Sequence, residues 1–148
     1  MIMSGLNVSA LRPGLLYGAA LCATYVATGL TRALWLNEAA GPVAAAVWEG
    51  ALYLVSGVLL LSGLSWKTAL SQQAEKHPVL TGLLALALYG IADALIAVAL
   101  CGVPLPRHMA RFLESDGRIQ LLALLLYAAL PLLWFHDTPQ RTRMTPRG

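Results

Sequence analysis

Two carboxylates and one guanidinium lie in stretches of sequence that are otherwise apolar. Glu49 falls inside AAAVWEGALYLVSG, Asp93 follows a similar apolar run, and Arg32 comes near the end of the first such stretch. Insertion of an ionised acid at the centre of a bilayer costs about 2.5–3.5 kcal/mol of free energy. Acids at that depth are therefore usually paired with a positive charge or serve a function. This pattern is typical of ligand binding, of proton relay, or of a buried ion pair.

Further polar side chains recur at helical spacing around these three residues. Steps of four and seven residues place each set on one face of its helix. Polar groups that faced lipid would be left unsatisfied, so we expect the four stripes to converge on one interior. The candidate binding residues on these stripes are Arg32, Glu49, Tyr53, Tyr89, Asp93, Thr28 and Gln120.

The two acids are expected at similar depth in the membrane. At about 1.5 Å per residue, Glu49 lies about 10 Å from the start of its predicted helix. Asp93 lies about 22 Å along an oppositely directed helix, in an apolar layer about 30 Å thick. Both acids therefore fall in the same third of the membrane, near Arg32. We predict that Arg32, Glu49 and Asp93 form one cluster.

Three interpretations of this cluster stay open. It is a structural lock in which Arg32 pairs with one acid, a cavity that binds a small molecule or relays protons, or a contact with a partner subunit. The favoured hypothesis is a transporter-like bundle that binds a small ligand or a proton. The alternatives are an accessory or assembly subunit of a larger membrane complex, and an integral-membrane enzyme that uses one carboxylate as general acid or base on a lipid-like substrate.

Four apolar segments must position these side chains. Apolar residues make up 58% of the 148-residue chain and charged residues only 11%, against about 25% charged in soluble domains. Mean hydropathy is +0.68. Segments 13–34, 42–64, 78–102 and 119–135 approach or exceed the length of about 20 residues that spans a bilayer. We predict one all-α integral membrane domain, an antiparallel bundle of four transmembrane helices with a polar basic tail at 136–148.

The distribution of lysine and arginine predicts the orientation of the bundle. The two ends of the predicted bundle carry six and four of these residues, and the more basic end is expected in the cytoplasm. Both termini are therefore predicted cytoplasmic, in a multi-pass protein of the cell membrane. The six residues at the predicted cytoplasmic end are Arg12, Lys67, Lys76, Arg141, Arg143 and Arg147.

The last connecting loop carries an amphipathic pattern. Leu105, Met109 and Leu113 recur at helical spacing, which predicts a short helix lying in the membrane interface. A second interpretation makes this segment a lid over the polar cluster. The candidate lid residues are Arg107, His108 and Arg111.

Other site classes are not indicated by the sequence. The chain has no zinc-type spacing of cysteine and histidine, no phosphate loop and no dinucleotide fingerprint, so we predict neither a metal nor a cofactor. The net charge of +3 lies in connecting segments, which favours a role in topology over nucleic-acid binding. The predicted partner is the lipid bilayer. A small-molecule ligand, a homodimer or a larger membrane complex are further possibilities, the latter two because Gly14 and Gly18 permit close helix packing.

Overall fold

The computed structural model describes residues 8–64 and 69–136, which are helical and contain no strand. Lys67 and residues 137–148, most of the predicted tail, lie outside the described residues. Two π-helical segments, Arg32–Leu36 and Ile96–Leu100, continue the first and third long helices, and a 3-10 turn covers Arg111–Leu113. The α-helices of the described ranges are α1 (Val8–Thr31), α2 (Asn37–Ala40), α3 (Pro42–Leu64), α4 (Ala69–Lys76), α5 (Pro78–Leu95), α6 (Leu105–Ala110) and α7 (Ser115–His136).

Four helices are long and apolar enough to cross a membrane, in agreement with the four predicted segments. Pro42 and Pro78 open α3 and α5, because proline is well suited to the first position of a helix. Pro13, in contrast, lies inside α1, which begins five residues earlier at Val8. The fourth helix begins at Ser115, four residues before the predicted start. The first turn of this helix is polar, so hydropathy alone did not indicate that the helix begins there.

The helix α4 was not predicted, because its composition is polar. It connects α3 to α5 and packs chiefly against α1. Ser71 and Ala74 form its buried face. A short amphipathic helix of this kind lies below the length that a hydropathy scan detects.

The four long helices pack as two parallel pairs. Helices that follow one another along the chain run in opposite directions, whereas the most extensive packing joins α1 to α5 and α3 to α7. Gly14 lies against Leu84. One turn later in both helices, Gly18 lies against Leu88, so the glycine step serves packing within the chain. The ends of α1 and α5 consequently meet the beginnings of α3 and α7 at one end of the bundle.

Aromatic side chains fill the core. The rings of Tyr17 and Tyr127 stack with centroids 4.3 Å apart. The Tyr17 hydroxyl donates to the backbone carbonyl of Tyr127 at 3.0 Å, and the Tyr127 hydroxyl donates to that of Tyr17 at 2.9 Å. Both hydroxyls are thereby satisfied within the apolar interior. The outer faces of the long helices expose large apolar side chains, for example Leu30, Leu59 and Ile91.

Candidate functional site

Arg32 connects three helices at the end of the bundle where α1 stops. Its Nη1 lies 3.2 Å from Oε2 of Glu49 in α3, and its Nη2 lies 2.6 Å from Oδ2 of Asp116 in α7. Its Nε donates to the side-chain oxygen of Asn37 at 3.1 Å. Arg32 is the first residue of a π-helical segment, a helix irregularity that often accompanies functional sites. One guanidinium is therefore shared by two carboxylates.

Glu49 is almost completely buried and lies at the centre of these contacts. Its side chain is 3% exposed. Besides the ion pair with Arg32, its other oxygen accepts hydrogen bonds from the Tyr53 hydroxyl and, at 3.3 Å, from the Gln120 amide. The same amide donates to the Tyr89 hydroxyl at 3.0 Å. The carboxylate is thus held by partners from three different long helices, as a buried charge requires.

Asp93 is held by a separate set of partners. Its side chain is also 3% exposed. Nη2 of Arg111 lies 2.7 Å and 2.6 Å from its two oxygens, and Nε2 of His108 lies 2.8 Å from one of them. The Tyr25 hydroxyl donates to the carboxylate at 2.7 Å. Burial lowers the pKa of the Arg111 guanidinium, but Asp93 and the nearby tyrosines raise it more, so the pKa of Arg111 lies above its usual value.

The segment 105–113, hereafter the lid, brings His108 and Arg111 to this acid. Gly102 turns the chain into it with φ of +65°, a conformation that favours glycine. The lid is a helical turn and a half followed by a 3-10 turn, and it packs against α7 and the π-helical segment that follows α5. Its apolar side chains, including Leu105 and Met109, are exposed, whereas His108 is buried. Two of its polar side chains, His108 and Arg111, therefore turn towards Asp93, whereas Arg107 stays exposed.

The structure gathers most of the candidate residues but divides them differently from the prediction. Arg32 contacts Glu49, while Asp93 is paired by Arg111 and His108 instead. The ionic side chains at this end are hereafter called the ion network: Arg32, Glu49, Asp93, His108, Arg111 and Asp116. Tyr53, Tyr89 and Gln120 lie against its buried side through the hydrogen bonds to Glu49 and to each other.

Thr28 and Arg107 do not join the ion network. The Thr28 hydroxyl donates to the backbone carbonyls of Thr24 and Tyr25 in its own helix. Its side chain lines a shallow apolar groove between α1 and α3. Arg107 is exposed, and it makes no hydrogen bond or ion pair with another described residue.

Three contributing residues were missed by sequence reasoning. Asp116 lies four residues before Gln120, so extending that polar stripe by one turn would have found it. Tyr25 lies seven residues before Arg32 and shares its face of α1. Asn37 offers no such signal, because its contact with Arg32 depends on the π-helical segment between them.

A cavity of about 300 Å³ opens beside the ion network. Its walls combine both signs of charge with amide and aromatic groups. A volume of this size accommodates a small polar molecule. This first cavity is lined by Tyr25, Gly29, Arg32, Asn37, Glu49, Arg111, Asp116, Gly117 and Gln120.

The described residues contain no group of three or more histidine, cysteine, aspartate or glutamate side chains placed to hold a metal ion. The chain matches no protein-family model, no curated protein and no solved structure at a significant level. Its function must therefore be inferred from the geometry of the ion network and the first cavity.

Proposed function

We propose that this protein is a transporter-like integral membrane protein that binds a small cation in the first cavity. The ligand class that fits best is a small organic ammonium ion. The observation that carries the proposal is the sharing of the single Arg32 guanidinium between Glu49 and Asp116, both of which line the cavity. A cation placed there would complete the charge balance of the two acids.

The charge of the whole ion network supports a cationic ligand. Its two arginines carry two positive charges and its three carboxylates carry three negative charges, which leaves one negative charge in excess when His108 is neutral. A proton on His108 or a bound cation would neutralise it. Arg111 is matched by Asp93, so the uncompensated charge lies on the Arg32 side, next to the cavity.

The uncharged groups in the cavity wall suit an ammonium ion. Such an ion donates several N–H hydrogen bonds, and the side-chain oxygens of Asn37 and Gln120 are available acceptors beside the two carboxylates. Tyr25 adds an aromatic ring, whose face attracts cations. An anion would meet Arg32 and Arg111, but both guanidinium groups are already paired with carboxylates.

The subunit hypothesis receives less support. A subunit that met its partner through polar stripes would present them on its outer surface. Here Glu49, Asp93 and Gln120 are buried within the one chain, and the outer faces are apolar. Polar groups gathered inside an apolar exterior are instead expected for a site within the bundle.

The first prediction concerns topology, with the network end of the bundle outside the cell. Cys101 is exposed at that end, while Cys22 is only partly accessible within α1. A membrane-impermeant maleimide added to intact cells should label the wild type and fail to label Cys101→Ser. Labelling that requires lysis of the cells would contradict the proposed orientation.

The second prediction tests the sign of the ligand charge. Ethylammonium should raise the melting temperature of the detergent-purified protein, because it binds the folded state. Acetate, similar in size but negative, should have no effect beyond that of chloride at equal ionic strength. Equal shifts with both ions, or none with either, would contradict a cation site. Scanning fluorimetry with the tryptophan signal measures both shifts.

A further inference from the structure

We propose that a second cavity, which shares Arg111 with the first, is a binding site for a phosphate group, and that an anionic phospholipid is its natural source. This cavity has a volume of about 340 Å³ and lies between the lid and the end of α5. Its polar wall carries Arg107, His108, Arg111 and Glu114, and its apolar wall includes Ile96 and Val103.

The basic side chains of this cavity have capacity left for an anion. Arg107 makes no hydrogen bond or ion pair with another described residue, although it lines the cavity. Nε of Arg111 is buried and has no hydrogen-bond partner, while Nη2 is taken by Asp93. A buried donor without a partner is uncommon, and this one still has its hydrogen-bonding capacity. Each guanidinium carries its N–H donors in a planar fork that matches phosphate oxygens, and two arginines line this cavity.

The acids near this cavity limit its affinity but do not cancel it. Glu114 lines the cavity and would repel an anion. Asp93 does not line the cavity, and its two oxygens are already bound by Arg111 and His108. The charge of Arg107 therefore remains available. A proton on His108 would add a further positive charge to the same wall.

The apolar half of the cavity favours a lipid over a free phosphate ion. Ile96, Ala97 and Val103 line that half, and Leu100 and Leu105 are exposed on either side of Val103 along the chain. A phospholipid would place its phosphate against the arginines and its acyl chains along these apolar side chains. A free phosphate ion would use only the basic wall. The lipid source rests on the membrane insertion proposed above, whereas the phosphate site itself does not.

The test measures the apparent dissociation constant of phosphatidylglycerol for the full-length protein in mixed micelles, from the lipid-dependent rise in Tm. Arg107→Gln should weaken binding about tenfold, the loss expected for one hydrogen-bonded charge. Glu114→Gln should strengthen binding, because it removes the opposing acid. Arg118→Gln is the matched control, since Arg118 is exposed at the same end but does not line the cavity. Arg118→Gln should weaken lipid binding by less than about twofold, because salt screens a distant surface charge.

The rise in Tm with inorganic phosphate and with phosphatidylcholine identifies the source of the phosphate. Stabilisation by phosphatidylglycerol but not by inorganic phosphate or phosphatidylcholine supports a site for an anionic lipid headgroup. Stabilisation by inorganic phosphate as well, sensitive to Arg107→Gln, supports a site open to any phosphate. Equal losses in Arg107→Gln and Arg118→Gln, or stabilisation by neither phosphate source, would overturn the proposal. The cation site is tested through Asp116, which does not line this cavity, so the two proposals fail independently.

Discussion

Replacement of Gly82 with alanine should strongly lower the free energy of unfolding of the bundle. A Cβ atom at Gly82 would lie 2.0 Å from the backbone carbonyl oxygen of Ala128, which belongs to α7. A backbone oxygen cannot rotate away as a side chain can, so α5 and α7 would have to separate. Overpacking usually costs about 1–3 kcal/mol and occasionally more, and we expect a loss of at least about 3 kcal/mol here.

The matched control for this variant is Gly90→Ala in the same helix. A Cβ at Gly90 meets no atom within 4 Å. Because alanine has the higher helix propensity, Gly90→Ala should keep the free energy of unfolding or raise it by up to about 1 kcal/mol. Unfolding in mixed detergent, followed by circular dichroism, measures both variants. Equal stability of Gly82→Ala and Gly90→Ala would show that α5 and α7 do not approach each other as described.

Removal of Arg32 should be the most damaging single change in the ion network. Arg32→Gln leaves Glu49, 3% exposed, without its positive partner. Breaking a buried ion pair from one side costs about 3–5 kcal/mol. Because the Arg32 side chain is itself 19% exposed, we expect the lower end of this range. The loss arises chiefly from the carboxylate left behind, so a second substitution that removes the carboxylate should recover part of it.

A double-mutant cycle tests this explanation. The variant Arg32→Gln with Glu49→Gln should be more stable than Arg32→Gln alone, by more than about 1 kcal/mol, as expected for residues in one network. Asp116 also loses its partner, but its side chain is 25% exposed and can be hydrated. Arg118→Gln supplies the control for loss of a surface positive charge. If Arg32→Gln leaves the free energy of unfolding unchanged, or if the losses of Arg32→Gln and Glu49→Gln add in the double variant, the ion pair does not hold the network together.

The four long helices, and the position of both acids at one end of the bundle, were predictable from the sequence. Hydropathy defines segments that exclude water, and proline marks the first turns of α3 and α5. Helical spacing then places Tyr53 beside Glu49 on one face of the helix. In the structure the Tyr53 hydroxyl donates a hydrogen bond to Glu49. These features depend only on local sequence, so no knowledge of the packing was needed.

The partners of the acids were not predictable, because they depend on which helices become neighbours. Parallel packing of α1 with α5 brings Tyr25 to Asp93, a pairing that no local pattern indicates. The amphipathic pattern of 105–113 identified the polar side chains but not that His108 and Arg111 would turn towards Asp93. Burial of His108 follows from its contact with Asp93, a residue of another helix.

The proposed cation site depends on the acids that share Arg32. Calorimetric titration of ethylammonium into three purified proteins, the wild type, Asp116→Asn and Glu38→Gln, measures their contribution to binding. Asp116 lines the cavity and is partly exposed, whereas Glu38 is an exposed acid of α2 that does not line it. We expect equal affinity for the wild type and Glu38→Gln, and at least about tenfold weaker binding for Asp116→Asn with the fold retained. Equal binding by all three proteins, or no binding by the wild type, would contradict the proposed site.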